Sequence, residues 1–241
     1  MILKALLDIL FPPLCHGCRE FIPEAGELHL CTACRTSSPL LISPCCPACG
    51  MPFLTEGGTD HLCGDCLGKP PPFTAARGAV VYAGAVRELV HRFKYGGKVQ
   101  HCRPLALLAA GQLAAFARDC GADCILPVPL HRKRLRQRGF NQAVLLGNVL
   151  AETWRLPHYR HALRRIRWTE PQIQLTARER RGNVAGAFAV RDASLVRGRR
   201  IILIDDVYTT GSTVAECSRT LLGSGAEAVF VVTVARAMVR G

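Results

Sequence analysis

Lysine is scarce in this chain, with five residues against 26 arginines, and aromatic residues make up only 6%. No apolar run approaches the roughly 20 residues that a membrane-spanning helix needs. The best, Leu105 to Ala117, has 13 and contains Gln112. No Gly-x-x-x-x-Gly-Lys occurs anywhere, which excludes a Walker-type phosphate loop. A signal peptide is disfavoured too: Asp8 interrupts the apolar Met1–Leu14 segment and no small-residue cleavage site follows. Residues 1–14 read instead as an amphipathic helix docked on the protein, and the chain as cytoplasmic. What is present is a sizeable core, 49% hydrophobic and 20% charged over 241 residues, so disorder is excluded. That length suits one main domain of roughly 150–170 residues plus a small appendage.

Acidic residues are few and unevenly placed. Residues 1–75 carry 4 Lys and Arg against 7 Asp and Glu, whereas the remainder carries 27 against 11. Thirteen cations fall between Pro127 and Asn183, against three acids. A GC-rich genome explains Arg in place of Lys, but not this clustering. A field of that sign attracts an anionic partner, either phosphates of a small molecule or nucleic acid.

Nine of the thirteen cysteines precede residue 67. Cys15-x-x-Cys18 pairs with Cys31-x-x-Cys34, and Cys46-x-x-Cys49 with Cys63-x-x-Cys66. Each CxxC turn aims two thiolates at one metal, and two turns close a tetrahedral site. The repeated spacing predicts two structural Zn²⁺ sites over residues 15–68, with Cys45 an alternative to Cys46. Disulfides fit poorly with a cytoplasmic chain, and a redox motif would occur once. This Pro- and Gly-rich segment has little core of its own, so metal supplies its folding free energy, roughly 10–16 kcal/mol per site. Loaded with two Zn(Cys)₄ centres its charge is about −7, which suits a scaffold or docking element better than a grip on phosphates. Residues 69–75 follow as a stiff Pro-rich linker. Cys102, Cys120, Cys124 and Cys217 read as core.

From residue 76 to 241 strands alternate with helices. Gly78–Tyr82, Asp123–Val128, Ile201–Ile204 and Ala228–Val234 read as strands. Ala85–Lys94, Leu105–Arg118, Phe140–Trp154 and Val214–Leu222 read as helices. The pattern implies an open, mostly parallel α/β sheet, in which ligands sit beyond the carboxyl ends of the strands. At that end of the Ile201 strand stand Asp205 and Asp206, then Thr209, Thr210, Gly211, Ser212 and Thr213, opening into a helix. Helix N-terminal amides and hydroxyls bind a phosphate without a cation. Thr213 with Glu216 also matches a capping box. Two adjacent carboxylates repel phosphate, so their place is one sugar-length away, on ribose hydroxyls or a hydrated Mg²⁺. Together these describe a ribose 5-phosphate site.

The run Ile202-Leu203-Ile204-Asp205-Asp206-Val207-Tyr208-Thr209-Thr210-Gly211-Ser212-Thr213 resembles the PRPP-binding signature of type I phosphoribosyltransferases. Over nearly its full length, including Phe93-Lys94-Tyr95-Gly96, Pro127-Val128-Pro129-Leu130 and Arg138-Gly139-Phe140-Asn141-Gln142, the chain resembles the ComF family (ComFC/GntX-like proteins). That resemblance implies a double zinc ribbon ahead of a type I phosphoribosyltransferase-like sheet. It implies that Asp205 and Asp206 contact the PRPP ribose and that Thr209 to Thr213 bind its 5-phosphate. It places Leu130–Arg138 at the family's pyrophosphate loop, with Arg132 and Arg134 as catalytic cations. Five cations fill the last seven residues of that loop, Arg132, Lys133, Arg134, Arg136 and Arg138, and both a leaving-group role and a nucleic-acid role stay open for them. Arg164 to Asn183 reads as a mobile flap.

Two departures bear on activity. Purine-salvage members carry an acidic base where this chain has Thr209, while orotate-type members have Thr there, so purine salvage is disfavoured. No hood segment specifies a nucleobase, and the ribbons stand in its N-terminal place. His131 and His101 read as loop and surface residues. Two functions follow: Mg²⁺-dependent phosphoribosyl transfer in natural competence or DNA utilisation, or a non-catalytic PRPP- and single-stranded-DNA-binding protein or regulator on the same fold. A competence helicase is the implied protein partner. Scarce aromatics between Pro127 and Asn183 count against strand binding, which favours stacking platforms.

Overall fold

The computed structural model describes residues 12–23, 26–53, 55, 57–169 and 182–238. Most of the expected N-terminal helix and the centre of the expected flap lie outside the described residues. The elements are α1 (Thr32–Thr36), α2 (Gly64–Gly68), β1 (Ala75–Val81), α3 (Gly84–Tyr95), α4 (Cys102–Gln112), α5 (Ala114–Asp119) and β2 (Cys124–Pro127). They continue with α6 (Arg132–Arg138), α7 (Gln142–Trp154), β3 (Leu163–Arg165), β4 (Phe188–Val190), β5 (Arg200–Tyr208), α8 (Ser212–Gly223) and β6 (Ala228–Arg236).

Four strands form one sheet in the order β1-β6-β5-β2, every pair parallel. An apolar run such as Ile201–Ile204 suits this place because a parallel strand is covered on both faces. Strand alternation sorts the run: Ile202 and Ile204 join the core with Val86, Leu105 and Leu146 of α3, α4 and α7, while Ile201 and Leu203 join Val214, Cys217 and Leu221 of α8. β3 and β4 pair antiparallel beside the α8 face.

The cysteine-rich segment is built onto this sheet. Cys15 and Leu30 pack into the α3-side core, whereas Cys46, Cys49 and Cys66 pack into the α8-side core. Between the two clusters the chain passes along the β1 edge, where Leu41 N donates to Ala79 O at 3.0 Å and Val81 N to Pro39 O at 2.8 Å. That crossing covers an edge that would otherwise be open to further pairing. The same passage caps α3: Ala85 N donates to Ser37 Oγ and Val86 N to Ser38 Oγ, both at 3.0 Å. Gly84 is required there, since with φ 48° its Cβ would fall 2.2 Å from Ser37 O.

Several expectations are corrected. β5 runs four residues beyond Ile204, so Asp205 and Asp206 belong to the strand itself. The helix expected over Leu105–Arg118 breaks at Leu113, where φ −106° and ψ 14° end α4. His101 is not a surface residue but is buried, edge-on to His16 at 5.2 Å. Burial, with the charge of His16 and Arg92, lowers its pKa to about 4. The four cysteines expected in the core, Cys102, Cys120, Cys124 and Cys217, are there.

Candidate functional site

The carboxyl ends of β2 and β5 open into a cleft of about 820 Å³. It is lined by the end of β5 with Thr209, Gly211, Ser212 and Thr213 of the following turn, though not Thr210, and by α6 with the start of α7. The lining also includes Tyr82, Lys94, Tyr95, Arg165 and Trp168.

Asp205 and Asp206 are neighbours on an extended strand, so their side chains part company. Asp206 turns to the α3 face, where Lys94 Nζ lies 2.7 Å from its Oδ1, with the two side chains 20% and 10% exposed. Burial would lower the Lys94 pKa, but Asp206, Asp205 and Tyr82 together outweigh it and the net shift is upward. Asp205 accepts the Asp206 amide at 2.9 Å. Burial first, and the Asp206 charge second, raise the Asp205 pKa to about 7, with Lys94 opposing.

The turn that follows is shaped by Gly211, the N-cap of α8, at φ 71°. A Cβ there would sit 2.2 Å from Tyr208 Oη, so only glycine fits. The capping box expected from Thr213 and Glu216 is not formed. Glu216 instead accepts the Gly186 amide at 2.7 Å and pairs with Arg219 at 2.7 Å. Gly211, as the N-cap, has no side chain to cap α8, and the first-turn amides of a helix have no intrahelical carbonyl to reach; Ser212, Thr213 and Val214 of that turn line the cleft. Thr210 Oγ1 and Ser212 Oγ lie 2.9 Å apart beside them.

The segment after β2 was expected as a loop and is largely helix. His131 Nδ1 accepts the Lys133 amide at 3.3 Å as the N-cap of α6, and Gly139 ends the helix in the left-handed region at φ 79°. Asn141 then caps α7, accepting from Ala143 N and donating Nδ2 to Val128 O, both at 3.0 Å. Helical spacing puts Arg134, Gln137 and Arg138 on the cleft side. Arg132, Lys133 and Arg136 are exposed and outside the cleft lining. Arg132 therefore parts from Arg134, with which it was expected to act. Arg138 donates to Gln142 Oε1 at 3.1 Å and lies 5.0 Å over the Tyr95 ring.

Four cleft residues had no individual role in the sequence reading: Lys94 and Gln142 stood only within motifs of the family resemblance, and Arg165 and Trp168 only within the expected flap. Lys94 is one of five lysines in an arginine-rich chain and stands just before Gly96-Gly97, a signal that was available. Among the described residues the buried Nε2 of Gln142 and Nε of Arg165 have no hydrogen-bond partner, so both are donors available at the cleft lining. Trp168 is approached by Lys133 and Arg134 at 5.6 and 5.7 Å and by His131 at 5.3 Å. Arg165 hydrogen-bonds Thr169, and Arg167 ties the same segment back to Ala185 O at 2.6 Å.

Away from the cleft, the four sulfurs of Cys15, Cys18, Cys31 and Cys34, and those of Cys46, Cys49, Cys63 and Cys66, lie within 4.8 Å of one another in each set. A tetrahedral Zn–S bond of about 2.3 Å spaces sulfurs about 3.8 Å apart. The Cys18–Cys31 and Cys49–Cys63 sulfurs are each 3.7 Å apart, so both sets fit zinc. Cys46, not Cys45, stands in the four-sulfur set, while Cys45 turns to Asp60, whose Oδ1 accepts its amide at 2.8 Å. Burial opposes ionisation, but backbone amides outweigh it and hold the Cys15 and Cys46 thiols down to about 6.

The two cysteine sets ahead of a parallel sheet make this an α/β protein with two four-cysteine metal sites. Residues 6–67 match the Double zinc ribbon domain. The chain is 37% identical over 229 residues to the DNA utilization protein YhgH of Escherichia coli K12, covering 91% of this chain and 95% of that one. It is 32% identical to Competence protein F of Haemophilus influenzae, covering 88% and 94%. The chain belongs to the ComF/YhgH family. Among solved structures it is similar to a hypoxanthine-guanine phosphoribosyltransferase from L. donovani at 15% identity, covering 56% of this chain and 71% of that one with a TM-score of 0.35.

Proposed function

We propose that the cleft binds PRPP and transfers its phosphoribosyl group, in the service of DNA utilisation or competence. One arrangement carries the reading: a Lys94-paired acidic couple at the end of β5, next to a glycine-shaped helix start. The turn Thr209–Thr213 takes the 5-phosphate on amides and hydroxyls. Asp205 and Asp206 accept hydrogen bonds from the ribose hydroxyls one sugar-length away. Lys94 already balances Asp206, which leaves Asp205 as the acid open to the diol or to Mg²⁺. These two carboxylates suit Mg²⁺, which when bound would offset charge on the pyrophosphate.

Arg134, Arg138 and Arg165 line the same cleft and face the pyrophosphate. As the bond from the anomeric carbon to pyrophosphate breaks, its electron pair leaves on oxygen, and guanidinium forks bind that charge. The acceptor forms the new bond to the same carbon.

A specific observation favours strand binding beside this chemistry. Arg132, Lys133 and Arg136 are exposed on α6 outside the cleft, and Lys133 lies 5.6 Å from the ring of Trp168, which itself lines the cleft. On this reading the outer face of α6 holds single-stranded DNA while its inner face holds PRPP, and a helicase of the competence system is the protein partner.

Calorimetry tests the sugar site. Asp205→Asn with Asp206→Asn should abolish PRPP binding while leaving a cooperative melt, and an unchanged affinity would refute it. Incubation with PRPP, Mg²⁺ and a panel of bases, nucleotides and single strands then separates transfer from binding. Pyrophosphate released with one acceptor supports the enzyme, and binding without release supports the non-catalytic alternative.

A further inference from the structure

β6 carries eight apolar or hydroxyl residues and then Arg236, which is only 4% exposed. A guanidinium in such a place needs partners, yet among the described residues no carboxylate pairs with it. Its partners are a metal-binding cysteine and a ring. One Nη donates to Cys49 O at 2.6 Å, the other to Cys49 Sγ at 3.6 Å, and the guanidinium lies 4.2 Å over the Tyr208 ring.

Each contact has a consequence. A zinc held by four thiolates carries a net charge of about −2, and a buried cation donating to one sulfur balances part of it. On the other side, Tyr208 is the last residue of β5, and its hydroxyl lies where a Cβ on Gly211 would be. One continuous stack therefore runs from the second cysteine set through Arg236 and Tyr208 to the turn at the head of α8.

The first cysteine set has no such support. Among the described residues no cationic side chain hydrogen-bonds its sulfurs, Cys18 is exposed, and the Glu20 carboxylate lies 3.6 Å from Cys18 Sγ. Two four-cysteine sets of identical composition thus have unlike surroundings, and among the described residues only the second is linked, through Arg236 and Tyr208, to the turn at the head of α8.

We propose that Arg236 is a positioning residue that couples the metal state of the second four-cysteine site to the order of the Thr209–Val214 turn. The functional meaning of this coupling rests on the sugar-phosphate reading of that turn, but its test does not. Zinc release from the full chain to a colorimetric chelator should be biphasic, the first set emptying faster. Arg236→Gln should speed only the slow phase, by about tenfold or more, the range seen for groups that support metal ligands. Arg236→Lys, which keeps the charge but not the fork, should restore part of the retention. Hydrogen exchange of the peptide spanning Thr209–Val214 should rise several-fold in Arg236→Gln and after the slow zinc is removed.

Tyr208→Leu cuts the stack on the far side of Arg236. It should raise exchange in the turn while leaving both release phases unchanged, and it serves if the Arg236 variants do not fold. Equal acceleration of both phases, an unaltered slow phase, or unchanged exchange in Tyr208→Leu overturns the coupling. Failure of the wild-type protein to bind PRPP instead strikes the sugar-phosphate reading, and the exchange and release results still decide the coupling.

Discussion

Asp205 and Asp206 differ by surroundings rather than chemistry. One has an ammonium at 2.7 Å, and the other is held up to about 7 by burial and by its neighbour's charge. The pH consequence follows from the sign of that shift. Between the ordinary 3.8 and about 7 the folded Asp205 keeps a proton that the unfolded chain has lost. Stability from this group is therefore full below that window, falls as pH rises through it, and is flat above. In Mg²⁺-free buffer, urea unfolding at pH 5 and pH 8 should show Asp205→Asn losing less stability than the wild type over that interval. Parallel losses in the two proteins would show that the carboxyl titrates normally. The acid pair was legible in the sequence because carboxylates next to a hydroxyl-rich turn have few uses. Its partner Lys94 lies more than a hundred residues earlier in the chain, and no local pattern joins the two.

At the scale of elements, α6 divides the basic cluster. Arg134→Ala with Arg138→Ala should weaken PRPP binding and leave the salt dependence of single-strand affinity intact. Arg132→Ala with Arg136→Ala should do the reverse, lowering the slope of log affinity against log salt by about 0.7 per cation removed. Equal effects of the two pairs on both ligands would mean that the helix does not separate the roles. The cations themselves were plain in the sequence, but the helix was not. Leu135 is its one apolar residue, Pro129 precedes it and Gly139 closes it, so the segment has no apolar stripe from which a period can be read. The failed capping box has a similar origin. Thr213 and Glu216 have the right spacing, but Glu216 is spent on Gly186 and Arg219, a choice made by tertiary neighbours.

For the whole molecule, the zinc-binding segment belongs to the core on both faces of the sheet. Cys15 and Cys46 are each 0% exposed, one in each core. Metal analysis should return two zinc per chain, matching the two sets of four sulfurs. Stripping both should lower the melting temperature of the entire protein, by roughly 2–4 °C per kcal/mol lost for a chain of this size. A melt of the sheet that is indifferent to chelation would mean that the ribbons only decorate it.

The chemistry that depends on neighbours in sequence was determined by the sequence alone. Paired CxxC turns, the acid-hydroxyl-glycine run after β5 and the strand–helix alternation each act through spacing over a few residues, where backbone geometry leaves little choice. What needed the tertiary structure was every relation across the chain. Lys94 meets Asp206, Arg165 reaches the cleft and Arg236 joins a cysteine 187 residues away, because helices, the β3–β4 pair and the cysteine-rich segment all pack around the parallel sheet. The energy of a buried charge depends on which groups surround it, and that company is assembled only when the layers pack.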